Sequence, residues 1–221
     1  MGYVSSATMQ AHCAELVRRD RAFNAIVKAA PLCPFGRVRP KTTHFESVVR
    51  AIIAQQVSTA AARTITERMR VIAGGAITPE ALTRLSDPQL QSAGLTGAKV
   101  RSLAELSHAA VGGSIDFQRI ARQPDDVVVA ELSNIYGIGT WTAQMFLMFQ
   151  LGRIDVWPTG DLAVRRGWDA LHQGPAGVRG TAPSAVQAST GAGVSARELD
   201  RLGDSLTGLR SVAAWYCWRA S

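Results

Sequence analysis

Lysine is scarce in this chain: Lys28, Lys41 and Lys99 are the only lysines among 24 basic residues, so arginine carries nearly all the positive charge. Against 17 acidic residues the formal charge is +7. Arginine forks well onto phosphates, but it also accumulates in proteins without a polyanion partner, so charge alone leaves both readings open. Cysteine is scarce as well. Cys13, Cys33 and Cys217 are odd in number and far apart, which excludes a disulfide framework or a CxxC-type zinc or iron–sulfur site built from them. They read as reduced core thiols. The opening MGYVSSATMQ lacks the basic-then-apolar pattern of a signal peptide, and its MGxxxS start has no polybasic run beside it to support lipidation. The longest uncharged stretch, Leu132 to Gly152, is interrupted by Ser133, Asn134, Gln144, Gln150 and a Gly137-Ile138-Gly139 turn, so it is no membrane span. The expectation is a soluble, intracellular protein.

Alternating β patterns are missing too: no short stretch alternates cleanly with β-branched side chains between turn signals. What is present is helical periodicity on an ordinary globular composition, 47% hydrophobic and 19% charged, which excludes a disordered tail. A chain of 221 residues suffices for one large or two small domains. The expected fold class is all-α. One or two helices span residues 8–30, with Asp20 as N-cap for the second, and Pro31 opens a Pro/Gly-rich link. Thr43-His44-Phe45-Glu46 has the spacing of a capping box and predicts a helix from His44 to about Val57. Ser58 restarts a helix to about Ala73, ended by Gly74-Gly75, and Thr78-Pro79-Glu80 opens short helices at 79–85 and 88–93. Gly94 to Gly97 turns into a helix over 98–111, and Pro124 to Leu132 begins another. Residues 172–193 shift to Gly, Ala, Pro, Ser and Thr with Arg179 as their only Arg, Lys, Asp or Glu, the composition of a flexible loop. Ser195 to Glu198 is a second capping box, and Leu209 to Arg219 is a closing helix.

The most informative stretch runs from Leu132 to Arg166. An apolar helix end, the Gly137-Ile138-Gly139 turn and a helix opening at Thr140 make a helix-hairpin-helix, whose glycines let a phosphate approach the backbone N–H groups of Ile138, Gly139, Thr140 and Thr142. Asp161 stands twenty-two residues after Gly139, preceded by Pro158-Thr159-Gly160 and followed by the helical Leu162-Ala163-Val164-Arg165-Arg166. A plain reading of Asp161 is an N-cap for that helix.

With the hairpin and this aspartate together, the sequence resembles the helix-hairpin-helix DNA glycosylase superfamily, and within it the 3-methyladenine DNA glycosylase II branch. The likeness extends to the helix His44 to Ser58 with its Gln55-Gln56-Val57-Ser58 end, to Gly94-Leu95 with Lys99, and to Arg210-Ser211-Val212-Ala213-Ala214-Trp215-Tyr216. It covers roughly residues 40 to 171 and 197 to 219. The resemblance implies an interleaved two-domain fold, residues 44–153 forming one bundle and 1–43 with 154–221 the other, with an active-site cleft between them that takes double-stranded damaged DNA. It implies a monomer.

A base inside a duplex is out of reach, so such an enzyme flips the nucleotide into an aromatic pocket. By resemblance Asp161 then faces the sugar, where a carboxylate stabilises the oxocarbenium-like charge and orients water. Trp141 occupies the position at which lyase relatives carry a Schiff-base lysine, which implies a monofunctional hydrolase; its electron-rich ring suits a cationic alkylated purine. Gln56 is the candidate to fill the gap left by the flipped base and Gln55 to line the pocket edge. Met145, Trp157, Trp215 and Tyr216 are candidates for pocket wall, with core packing the plainer reading of each. Lys99, Arg165 and Arg166 are candidates for phosphate contacts, while His44 reads as structural. No cofactor is implied: iron–sulfur relatives carry four cysteines after the aspartate where this chain has only Cys217, though hairpin carbonyls can hold a monovalent cation.

Two departures bear on substrate. Where relatives place a bulky wedge this chain has Thr96 and Gly97, and before Arg210-Ser211 it has Thr207-Gly208-Leu209 in place of an aromatic. The expected function is excision of alkylated purines of the 3-methyladenine and 7-methylguanine type. The alternatives are a non-catalytic lesion-binding protein and a glycosylase for deaminated or mismatched bases.

Overall fold

The computed structural model describes residues 4–37, 40–172 and 194–221, and among these every regular element is helical. Of the loop expected at 172–193, residues 173–193 lie outside the described residues, and His172 is the last residue of a helix. No helix among the described residues is long and apolar enough to cross a membrane. The chain divides into two compact units, one formed by Pro40–Leu151 and the other by Met1–Arg39 together with Gly152–Ser221.

The Pro40–Leu151 unit is built around α3 (His44–Ala54), which packs against α4 (Thr59–Ile72), α7 (Gly97–Val111), α8 (Phe117–Ile120) and α10 (Thr140–Met145). Its buried residues Phe45, Val48, Val49, Ile52 and Ile53 recur at helical spacing, so one face is apolar throughout. Thr43 caps α3 by accepting from Glu46 N, but only half of the expected capping box forms. The Glu46 carboxylate turns away to Arg70 of α4 at 2.6 Å, a partner of opposite charge that a backbone N–H does not outbid. The helix also ends earlier than expected. Gln55 leaves helical geometry and Gln56 takes a φ of +55°, which no other non-glycine among the described residues does.

The short helices α5 (Pro79–Thr83) and α6 (Asp87–Ser92) lie against α7. Helix α8 was not expected; Asp116 caps it by accepting from Gln118 N and Arg119 N. It places Phe117 edge-on between Phe45 and Phe146. After α9 (Asp125–Ser133) and the hairpin, α10 passes directly into a π-helical turn, Phe146–Gln150. The wider turn delivers Gln150 to Thr42 and His44, where its amide donates to the Thr42 carbonyl and meets His44 Nδ1, each at 3.0 Å. His44 is structural, as expected.

In the other unit α1 (Ser6–Arg19) and α2 (Asn24–Ala29) pack on α13 (Arg210–Ala220), which also lies along α11 (Leu162–His172). Gly167 makes that crossing close, because a Cβ there would collide with the Cys217 carbonyl. Helix α13 buries Val212, Ala213, Ala214, Tyr216 and Cys217, and Met9, Leu16 and Phe23 complete the core. All three cysteines are free and buried, Cys13 lying 3.3 Å from the Tyr216 hydroxyl. Tyr216 is therefore core, whereas Trp215 is half-buried and donates its indole N–H to Pro31 O.

Candidate active site

The hairpin is shaped from beneath by one face of α7. Gly137 has a φ of +75°, and a Cβ there would collide with the hydroxyl of buried Ser102, itself held on Ala98 O at 3.0 Å. One residue earlier on α7, Arg101 stacks 3.8 Å from the Tyr136 ring centroid. One turn later, Glu105 accepts from Tyr136 N at 3.0 Å. Residues 98, 101, 102 and 105 share a helix face, and the sequence pattern does not reveal that this face supports the hairpin. Their helical spacing was visible; the partner they serve was not.

Gln55 reaches the hairpin from the end of α3. Its amide nitrogen donates to Gly137 O and to Thr142 Oγ1, both at 3.0 Å. The carbonyl of Gly137 only accepts, which fixes the amide orientation. Thr142 and Ile138 bury their side chains, which agrees with an expectation that involves only their backbone N–H groups. Thr140, Gly137 and Gly139 are exposed, and Gly139 is the N-cap of α10 without a side-chain cap. Lys99, expected on a phosphate, places its ammonium on the carbonyls of Ile53 and Gln55 at 2.8 Å each. The half-buried Trp141 and the buried Met145 are one turn apart on α10 and share a face. Gln56 is exposed at the tip that follows α3.

Asp161, Trp157, Arg165 and Arg166 belong to the other unit. The half-buried Asp161 does cap α11: its Oδ1 accepts from Ala163 N at 2.9 Å and Val164 N at 3.0 Å. Its own N–H donates to Pro158 O, which closes the turn that presents it. Upstream, residues 154–157 are stitched to the start of α13 and to α12 (Ala196–Leu202). Ser211 N donates to Ile154 O, Val156 N donates to Ser211 Oγ at 2.8 Å, and that hydroxyl donates to Val156 O. Arg210 forks onto Asp155 at 2.7 and 2.8 Å. Burial works against the Asp155 charge, but Arg210 holds its carboxyl below the ordinary range. Trp157 donates its indole N–H to Leu199 O and lies where Gly203 leaves room for its ring. It is a core residue, and the pocket-wall role expected of it gives way to packing. Arg166 is exposed, whereas Arg165 is half-buried, with an Nε that has no hydrogen-bond partner among the described residues.

Comparison with known proteins places these features in context. Residues 49–180 match the family described as HhH-GPD superfamily base excision DNA repair protein. DNA-3-methyladenine glycosylase 1 of Schizosaccharomyces pombe is 29% identical over 205 residues, which is 91% of this chain and 83% of that protein. A structure of the Schizosaccharomyces pombe 3-methyladenine DNA glycosylase in complex with abasic DNA has a TM-score of 0.78 at 27% identity, over 96% of this chain and 95% of that one. The DNA-3-methyladenine glycosidase of Bacillus halodurans gives 0.73 at 30% identity, over 95% and 88%.

Proposed function

This chain belongs to the HhH-GPD superfamily of base excision DNA repair proteins, and from that premise we propose that it is a monofunctional glycosylase hydrolysing the N-glycosidic bond of alkylated purines in double-stranded DNA. The observation that carries the reading is Asp161, a half-buried carboxylate clamped by two backbone N–H groups at the head of α11. An aspartate needed only as a cap requires no stitched approach; here Ser211, Arg210 and Leu199 together fix the four residues that lead to its turn.

In this reading the hairpin N–H groups at 138–140 bind a phosphate of the damaged strand, and the exposed Arg166 is a candidate phosphate contact of the other unit. Trp141 stacks on the flipped base, with Met145 beside it, and Gln56 enters the gap left behind. As the bond from C1′ to the purine nitrogen breaks, its electron pair leaves with the base, and a cationic alkylpurine departs neutral. Asp161 stabilises the positive charge on the sugar; water then adds to C1′ and gives its proton to the carboxylate. No lysine follows Thr140, which supports hydrolysis without a Schiff base and without strand cleavage, as expected of an enzyme of the glycosylase II type. The chemistry takes no metal. A monovalent cation on hairpin carbonyls would add only positive charge for a phosphate, and the Gly137 carbonyl there already accepts from Gln55.

Base release from methylated duplex DNA, resolved by chromatography, tests this for the wild type and Asp161→Asn alongside a binding titration. Release of 3-methyladenine or 7-methylguanine by the wild type, lost in the variant while binding persists, is the expected result. Binding by both proteins with release by neither overturns alkylpurine excision and favours lesion sensing.

A further inference from the structure

We propose that Lys99 is a positioning residue that acts through Gln55 on the hairpin, and that it makes no phosphate contact. The inference rests on the DNA-binding reading above for its consequence, but its geometry stands within one unit. Helix α3 ends at Ala54, leaving carbonyls at its C-terminus without intrahelical partners. The ammonium of Lys99 sits on two of them, Ile53 O and Gln55 O, at 2.8 Å each. A cation is favoured there by the negative end of the helix, and the half-buried stem keeps the ammonium in place. Burial also pushes the amine somewhat below its ordinary range, the cost of holding it in that position.

Gripping carbonyls two residues apart bends the chain at Gln55. The bend has two outcomes, one on each side of the gripped carbonyl. Gln55 directs its amide to Gly137 O and Thr142 Oγ1, tying α3 to both limbs of the hairpin. Gln56 is turned into the left-handed region at φ +55°, a conformation that is costly for a residue with a side chain and therefore needs outside support. One ammonium thus couples the element that grips the phosphate to the exposed residue assigned to the gap. With two of its protons already committed, Lys99 is poorly placed to serve as a mobile surface cation.

The test uses Lys99→Met, Gln55→Leu and the double variant in the full chain. Hydrogen exchange of the free proteins reads the clamp without DNA. Exchange of the hairpin amides at 135–143 should quicken about tenfold in Lys99→Met, the size expected for one or two lost hydrogen bonds, with α1 and α13 unchanged. Affinity for a duplex carrying a tetrahydrofuran abasic analogue, titrated from about 50 to 200 mM salt, reads the function. Lys99→Met should weaken binding by a constant factor with no change of salt slope, and the double variant should bind no more weakly than Gln55→Leu. A slope shallower by about one makes Lys99 a phosphate contact and overturns the proposal. Unaltered hairpin exchange, or penalties that add in the double variant, overturn it equally. Should Lys99→Met not fold, Gln55→Leu must quicken the same amides for the clamp to stand. A wild type that does not bind the duplex removes the DNA reading, and exchange still decides the clamp.

Discussion

Gly137 rests on Ser102: the hydroxyl of the serine occupies the space that a side chain at 137 would need. Gly137→Ala is therefore opposed twice, by the left-handed φ of +75° and by that collision. The backbone term alone is worth about 1–2 kcal/mol. Duplex binding should fall more than tenfold. Pairing Gly137→Ala with Ser102→Gly relieves the collision but not the backbone strain, so it should recover part of the loss and no more. Full recovery would show that only the collision matters.

Asp161 has two duties that different substitutions separate. Asn still accepts the bonds from Ala163 N and Val164 N, so Asp161→Asn should melt near the wild type yet lose at least about a hundredfold in single-turnover excision. Asp161→Ala loses the cap as well, about 1 kcal/mol of stability. If Asp161→Asn excised at the wild-type rate, the carboxylate would be a cap and nothing else.

Ser211 and Arg210 both hold the segment ahead of Asp161, and burial decides which matters more. Ser211 is fully buried, and Ser211→Ala leaves the N–H of Val156 without its partner, at about 1–3 kcal/mol. The Arg210–Asp155 pair keeps about 30% of each side chain exposed, so Arg210→Met should cost only about 0.2–1 kcal/mol. Chemical denaturation orders the two variants, and excision rates should follow the same order.

His172 makes stability depend on pH. Its ring stacks on Trp168 and meets Asp20 Oδ2 at 2.8 Å. Burial disfavours the charged ring, but the bonds to Asp20 and to Trp168 O outweigh it and raise the pKa. The Asp20 carboxyl, despite its own desolvation, is lowered by His172. A raised histidine stabilises fully below its unfolded value of about 6.5 and loses that contribution as pH climbs through the folded value. A lowered carboxylate stabilises above about 4 and loses it as pH falls. The melting temperatures of wild type and His172→Gln should thus differ most between the two unfolded values and converge as pH rises through the raised value of the folded histidine. A gap that widens with rising pH would contradict the pairing.

Local chemistry was legible in the residues alone. Ser58, Thr78, Thr96, Ser195 and Asp161 all cap helices, because a cap joins a side chain to N–H groups two or three residues away. The apolar faces of α3 and α7, the hairpin glycines and the family likeness could be read the same way. Only folding decided how distant polar groups are used. Lys99 is 44 residues from the Gln55 carbonyl it holds, and Glu46 is 24 from the arginine that draws it off its cap. Trp157 went to the core because Gly203, far along the chain, leaves space for its ring. Helix periodicity places a side chain on a face; which carbonyl, charge or cavity meets that face depends on contacts between segments, and no local pattern encodes them.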